Sequence, residues 1–199
     1  LVADEVICGF GRTGEWFGSG YFNIQPDLMP FAKGVTSGYL PVGGVVVRDD
    51  IVDVLVAANQ EFAHGYTYSG HPACMAAAVA NLELMDNTNI LDQVKNNTAP
   101  YLADKWKNLE NHSLVGEARH LGMLAAIEIV KDKENCKRFE NSAEIVGRCR
   151  DFCYENGIVM RAIKNKMVIA PPLICNNDHI DEIIDKVWMC LDLTAKSIK

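Results

Sequence analysis

No cluster of Lys and Arg occurs anywhere in a chain whose formal charge is −7, which argues against nucleic acid or an anionic membrane surface as the main partner. No apolar run approaches the roughly 18–20 residues that a helical membrane span requires. The seven cysteines, at positions 8, 74, 136, 149, 153, 175 and 190, include no CxxC pair. An odd, unpatterned set reads as reduced thiols in a cytoplasmic-type compartment and not as a disulfide framework. Repeats and low-complexity tracts are absent. So is an initiator Met: the chain opens at Leu1-Val2-Ala3, inside a strand-like run. It reads as a fragment whose N-terminus lies upstream, which leaves an organellar signal open. What remains is an ordinary globular composition. The 199 residues are 49% hydrophobic and 23% charged, enough for a sizeable core in one domain or in parts of two.

The apolar pattern predicts a short strand over residues 1–8, LVADEVIC, interrupted only by Asp4 and Glu5. Residues 9–26 are rich in Gly and aromatics, end at Pro26 and read as loop. A second strand is expected over 28–32, despite Pro30, and leads directly into Lys33. Four glycines (34, 38, 43 and 44) then run into a third strand over 42–48. Short runs of this kind suit a largely parallel sheet covered by helices. A helix is expected over 50–58, then the polar loop HGYTYSGHP (64–72). Pro72 opens a helix with Met75, Ala78, Leu82 and Met85 on one face, and a long helix follows over 90–110. The texture then changes to β-β-α-β-β-α. Strands are expected near 114–119 and 123–130, a helix over 141–156, and strands over 158–163 and 167–170. A last helix starts after Asn177 as its cap, with Asp178, Asp181 and Glu182 near its positive end. Its buried stripe is Ile180, Ile183, Ile184, Val187 and Leu191. The expected architecture is α/β in two parts: residues 1–86 belong to a sheet domain, residues 87–199 form a smaller α+β domain.

Gly9-Phe10-Gly11-Arg12-Thr13-Gly14 fits GxGxxG and follows a strand. That fingerprint needs a helix to open at its third glycine, so that a pyrophosphate rests on the helix N-terminus. Here EWFGSGYFNIQP follows, with Gly18, Gly20 and Pro26 in the way, and a dinucleotide site is rejected. Two other positions carry more chemistry. A carboxylate at Asp4, within a short buried strand, costs several kcal/mol unless paired or hydrogen-bonded. Either it is a functional group, or Asp4 and Glu5 lie at the strand's end, in solvent or bridged to Arg12. Lys33 follows a strand and precedes the four glycines, which let a backbone approach a bound group closely. Desolvated there, its amine can attack a carbonyl; the alternative is a surface lysine in a loop. Strand ends bearing Asp4 and Lys33 would meet at the edge where open α/β sheets bind ligands.

ADEVICGFGRTGEWF, PDLMPFAKGVTSGYLPVGG and FAHGYTYSGHP, in this order and spacing, resemble the class III aminotransferases of the fold-type I pyridoxal-phosphate family. Within that class they look most like the ω-amino acid and amine:pyruvate transaminases. LGMLAAIEIV and GIVMRAIKNKMVIAPPL extend the resemblance to nearly the whole chain. It implies the C-terminal part of a fold-type I large domain (1–86), a mostly parallel sheet with helices, followed by the small domain (87–199). It implies pyridoxal 5'-phosphate as cofactor, held as a Schiff base by Lys33, which also shuttles the substrate proton. Asp4 matches the carboxylate beside the pyridine nitrogen, and an ionised carboxylate there keeps that nitrogen protonated. Val6 matches the residue packed under the ring. Thr67 matches a threonine reaching the cofactor phosphate of the neighbouring subunit, so a homodimer with a shared site is implied. Arg161 matches an arginine gripping the substrate carboxylate. The substrates implied are an amine or amino acid and a keto acid such as pyruvate.

Each assignment has a plainer alternative. Thr67 could be a loop cap, and Arg161 a surface ion pair. His64, His71 and Cys74 lack a ligand pattern and read as structural, with no metal expected. Cys149 and Cys153, one helical turn apart, read as core. Arg119-His120-Leu121-Gly122 departs from the Arg-Gly-x-Gly of many relatives, and His120 is expected to alter a turn. The Gly-Ser phosphate turn and the ring-stacking aromatic of the family are not in this chain. Two other functions stay open: another class III chemistry, aminomutase or decarboxylase, or a non-catalytic fragment lacking half of its site.

Overall fold

The first five residues run extended and parallel to β1 (Leu28–Phe31). The Ala3 N–H donates to the Leu28 carbonyl at 3.0 Å, and the Glu5 N–H to that of Pro30 at 2.9 Å. The computed structural model describes residues 1–59 and 61–198 and divides into two units, Leu1–Asp92 and Gln93–Lys199.

In the first unit the strand expected over 1–8 shrinks to a single parallel bridge, Val2 to Leu28. Two residues shorten it. Pro30 has no N–H to return to the Ala3 carbonyl, so the ladder is interrupted there. Asp4 then accepts the Val6 N–H at 3.1 Å, a local bond that competes with strand pairing. β2 (Gly44–Val47) pairs antiparallel with β1, Leu28 opposite Val47 and Phe31 opposite Gly44. The direction follows from the connection, which holds a 3-10 turn (Lys33–Thr36) and no crossover helix of the kind parallel neighbours need. The segment expected to be all loop contains one short helix, α1 (Gly18–Tyr21). α2 (Asp49–Ala57) and α3 (Pro72–Asn87) form where expected. Of the predicted face of α3, Ala78 and Met85 are buried while Met75 is exposed. α2 buries no residue, and its Val54 and Val56 are about 70% exposed.

α4 (Ile90–Gln93), a π-turn (Val94–Thr98), α5 (Ala99–Lys107) and a 3-10 turn (Asn108–Asn111) replace the single helix expected over 90–110. Pro100 is the cause. It cannot donate to the Asn96 carbonyl, and the Ala99 N–H reaches back to Val94 instead.

The second unit is built on an antiparallel sheet in the order β3-β4-β6-β5, comprising β3 (Val115–Leu121), β4 (Leu124–Ile129), β5 (Arg161–Ile163) and β6 (Lys166–Ile169). Period-2 alternation buries Ala125, Ile127 and Ile129 on one face of β4. α5 packs on β3, α6 (Ser142–Glu155) on β5 and β6, and α7 (Asn177–Ser197) against α5 and α6. Trp106 is fully buried, worth about 1.5–3 kcal/mol for a large apolar side chain, and its indole N–H donates to the Ala126 carbonyl at 3.1 Å. The cap of α7 is Asn176, one residue before the expected Asn177. Its side chain takes the His179 N–H, while the His179 ring takes the Asn176 N–H, closing a capping box. On α7, Ile180, Val187, Cys190 and Leu191 are buried, whereas Ile183 and Ile184 are half-buried. His120 does not sit in a turn: it lies within β3, exposed and opposite Ala125. The hairpin closes at Gly122-Met123, where Gly122 supplies a φ of 56°.

Candidate active site

Lys33 follows the end of β1 and has φ 48°, in the left-handed region that residues with side chains rarely enter. Such a conformation costs roughly 1–3 kcal/mol and persists only where neighbours over-determine it. The 3-10 turn that Lys33 opens ends on two further left-handed residues, Ser37 (φ 50°) and Gly38 (φ 79°). Two elements hold the turn. On one side Phe10, itself buried, presses on Gly34, and a Cβ on Gly34 would lie 2.9 Å from the Phe10 Cβ, so only glycine fits. Phe10 is braced edge-on by Phe17 and Phe31, with ring centroids 5.4 and 5.8 Å away. On the other side Asn81 of α3 donates through Nδ2 to the carbonyls of Gly34 (3.0 Å) and Val35 (3.2 Å). The Ser37 hydroxyl donates to Asn81 Oδ1 at 2.7 Å. The Lys33 side chain is exposed.

Asp4 is exposed and Val6 half-buried. Because Glu5 is bonded to Pro30, both lie beside the end of β1 from which Lys33 departs. The structure thus brings Asp4, Val6 and Lys33 to one end of two parallel segments, the end at which α/β sheets bind ligands. The adjacent carboxylates divide. Asp4 faces solvent, whereas Glu5 is 2% exposed and accepts the Gly18 N–H at 2.8 Å and the Ser19 N–H at 2.6 Å. Glu5 thereby closes the Gly9–Gly18 segment into a loop, and no helix opens at Gly14. Beside it, burial first and the charges of Glu5 and Asp4 second push the Cys8 thiol up, so it stays protonated.

Thr67 is a central residue of a β-turn closed by the Ser69 N–H on the Tyr66 carbonyl (2.9 Å) and the Tyr66 N–H on the Ser69 hydroxyl (3.1 Å). It is exposed, and its neighbours Tyr66 and Tyr68 are 76% and 82% exposed. Three residues past this turn, Pro72 opens α3, the helix that carries Asn81. Arg161 opens β5 in the second unit, exposed and opposite Val168. Among the described residues no group of three or more His, Cys, Asp or Glu is gathered to hold a metal ion. No helix is long and apolar enough to cross a membrane among those residues.

Glu5 and Asn81 are the site-shaping residues that motif reading missed. Asn81 left a faint signal, as the one amide in the run ACMAAAVANLELM, whose only other polar residue is Glu83. Glu5 left none that could be separated from Asp4.

An exposed amine and a carboxylate at one end of two adjacent segments suit a cofactor with a carbonyl carbon and a basic ring nitrogen. The chain belongs to the class III aminotransferases, whose family model matches residues 1–191; the class depends on pyridoxal 5'-phosphate. Among its relatives, the putrescine–pyruvate aminotransferase of Pseudomonas aeruginosa is 54% identical over 199 residues, which are all of this chain and 43% of that protein. A chloroplastic gamma-aminobutyrate transaminase of Solanum lycopersicum is 35% identical, covering 100% of this chain and 39% of its own length. The solved (S)-enantioselective ω-transaminase from Thermomicrobium roseum superposes with a TM-score of 0.92 at 38% identity, over 98% of this chain and 43% of that one. A transaminase from the marine bacterium Virgibacillus gives 0.94 at 35% identity, over 100% and 46%. The chain therefore spans less than half the length of the relatives it matches. Its α/β architecture is that of these transaminases.

Proposed function

We propose that the full-length protein transfers an amino group from an amine or ω-amino acid to a keto acid such as pyruvate, with Lys33 as the residue that holds the cofactor. The observation that carries this reading is the placement of Lys33 and Asp4 at the same end of two hydrogen-bonded parallel segments in a class III aminotransferase chain. The naming of a relative as a putrescine–pyruvate aminotransferase supports pyruvate as acceptor.

Pyridoxal 5'-phosphate, when bound, supplies an aldehyde carbon for amines and a protonated ring that takes up electron density from the substrate carbon. The chain's residues do the rest. Lys33 Nζ is the covalent anchor. The same amine, when a substrate amine takes its place, would carry the proton between the substrate carbon and the cofactor carbon. Asp4 would face the ring nitrogen and, as a carboxylate, would favour its protonated form. Val6 offers an apolar surface to the ring. Thr67, at the tip of an exposed turn, donates its hydroxyl to the phosphate bound by the partner subunit. The two exposed tyrosines beside it are suited to a protein interface, and the proposed assembly is a homodimer. Arg161 presents a planar fork to the substrate carboxylate. A cytoplasmic setting completes the proposal, supported by seven cysteines with no CxxC spacing, an odd set that suits reduced thiols.

The test is to express the full-length gene product, add pyridoxal 5'-phosphate, reduce with borohydride and map the modified peptide. A pyridoxyl group on Lys33, together with alanine formed from pyruvate and an amine, is the expected result. Lys33→Ala that still binds the cofactor covalently and turns over amines would overturn it. Carbon dioxide release, or movement of the amino group within one molecule, would assign the chain to another class III chemistry.

A further inference from the structure

We propose that Asn81 is a positioning residue for Lys33: it fixes the turn from which the lysine side chain departs and so sets where the amine is presented. The inference rests on the reading of Lys33 as the cofactor-holding residue.

The turn closes at its far end through its own bonds, Ser37 N–H to the Gly34 carbonyl and Gly38 N–H to the Lys33 carbonyl, each 3.1 Å, but its start beside Lys33 is held less well. Its opening 3-10 bond, from the Val35 N–H to the Ala32 carbonyl, is long at 3.4 Å, and Lys33, Ser37 and Gly38 all adopt left-handed φ. A short run with i,i+3 bonds is a weak frame, and chain entropy favours release of left-handed residues that carry side chains. Bonds from outside the turn add to its own. Asn81 supplies them from both ends of its amide: Nδ2 donates to two successive carbonyls, Gly34 and Val35, besides a longer contact to Met85 Sδ at 3.6 Å, and its oxygen takes the Ser37 hydroxyl. Three bonds from one amide span the turn from the residue after Lys33 to its left-handed end.

The setting of Asn81 argues the same way. It lies on the inward stripe of α3 between Ala78 and Met85, both buried. A leucine would pack there without the need to satisfy four hydrogen-bonding positions. An amide is stable there because the turn supplies its partners. α3 is a 16-residue helix, far stiffer than the turn it grips. Its N-terminus follows directly on the Thr67 turn, so one rigid element connects the segment carrying Thr67 with the segment carrying Lys33. Phe10 presses on Gly34 from the other side, and the turn is clamped between an aromatic ring and an amide. Release of the amide lets Lys33 leave its left-handed conformation and swings its amine away from the position that Asp4 shares.

The test uses the full-length protein stripped of cofactor. Three quantities are read: the rate at which added pyridoxal 5'-phosphate becomes borohydride-trapped on Lys33, the pH midpoint of the visible absorption band, and the thermal midpoint. Asn81→Asp keeps the shape but turns two donors into acceptors facing carbonyls. It is expected to slow capture about tenfold, equivalent to about 1.4 kcal/mol, and to shift the pH midpoint of the band. Ser37→Ala removes one of the three bonds and is expected to slow capture about twofold to threefold, again on the scale of tenfold per 1.36 kcal/mol. It decides the matter if Asn81→Asp does not fold. Thr88→Val, which removes a hydroxyl bond to Leu84 at the far end of α3, loosens the same helix and is expected to leave capture and band unchanged. Capture at the parent rate with an unmoved band in Asn81→Asp and Ser37→Ala overturns the positioning role. Equal slowing in Thr88→Val overturns it as well, since the effect would then follow helix stability. Failure of the parent protein to place any pyridoxyl group on Lys33 overturns the functional reading itself, and is told apart because it shows before any substitution is made.

Discussion

Glu5 and Gly18 are thirteen residues apart in sequence and 2.8 Å apart in space, carboxylate oxygen to amide nitrogen. With the Ser19 N–H on its other oxygen, the buried Glu5 carboxylate ties the glycine-rich loop to the segment that carries Asp4. Glu5→Gln leaves one amide N–H facing an NH2 group. It should lower the unfolding free energy of the full-length protein by about 1.5–3 kcal/mol, the range for a hydrogen bond to a charged group. Urea denaturation measures this. Because Asp4 is the neighbouring residue, release of pyridoxal 5'-phosphate should also quicken.

Asp4→Asn should separate binding from chemistry. The amide is the same size and can still meet the ring nitrogen, but it no longer favours the protonated ring. The cofactor should stay on Lys33, while the half-reaction with an amine, followed by stopped-flow absorbance, slows by about 10²-fold or more, the scale of losing one acid–base partner. An unchanged half-reaction would remove Asp4 from the chemistry.

These two carboxylates show what a sequence can and cannot say. The β-β-α-β-β-α order of the second unit was legible because periods of 2 and 3.6 are local properties: Ile127 and Ile129 alternate on β4, and Ile180, Val187 and Leu191 recur on α7. That Asp4 and Lys33 would lie on adjacent segments was legible from the order of their motifs, although the segment carrying Asp4 forms a single bridge and not the expected strand. Which of Asp4 and Glu5 would be buried was not legible, since the answer lies in the backbone of Gly18 and Ser19. Asn81 was hidden for the same reason, its partners being 46 and 47 residues away. Pro100 and Pro30 were visible, but their consequences depend on which carbonyl would have received the missing N–H. Asn176 and Asn177 are equally good caps by type, and the His179 ring decides between them.

Glu128 gives a pH dependence with a definite sign. It lies on β4, where Oε1 accepts from Asn165 at 2.6 Å and Arg138 at 3.1 Å, with Lys166 3.8 Å from the other oxygen. Burial pushes its carboxyl up. The bonds from Asn165 and Arg138 and the charges of Lys166 and Arg138 outweigh that and hold it below the usual range. A carboxyl lowered on folding stabilises fully above its unfolded value, about 4.3, and that contribution is lost as pH falls through the lower folded value. Glu128→Gln should therefore be less stable than the parent at pH 7 by about 1 kcal/mol, and the gap should close below about pH 4. Thermal unfolding across pH 3–7 reads both. A gap that does not narrow in acid would show that the charge of Glu128 is not what stabilises.

Arg161 can be tested without disturbing the fold. It is exposed at the first position of β5, so its truncation should leave the thermal midpoint of the protein nearly unchanged. If its guanidinium grips a carboxylate, Arg161→Gln should raise KM for pyruvate by about tenfold to a hundredfold, the equivalent of one charged hydrogen-bonding pair at about 1.5–3 kcal/mol. The kcat for an amine donor that has no carboxylate should hold, because that half-reaction never uses the fork. Arg161→Lys restores charge but not the two parallel N–H bonds, so it should recover only part of the lost affinity. The split is informative because a surface ion pair predicts the opposite pattern, with KM for both substrates unmoved. Equal rises in KM for pyruvate and for a carboxylate-free amine would also count against the assignment, since a carboxylate clamp has nothing to hold on the amine.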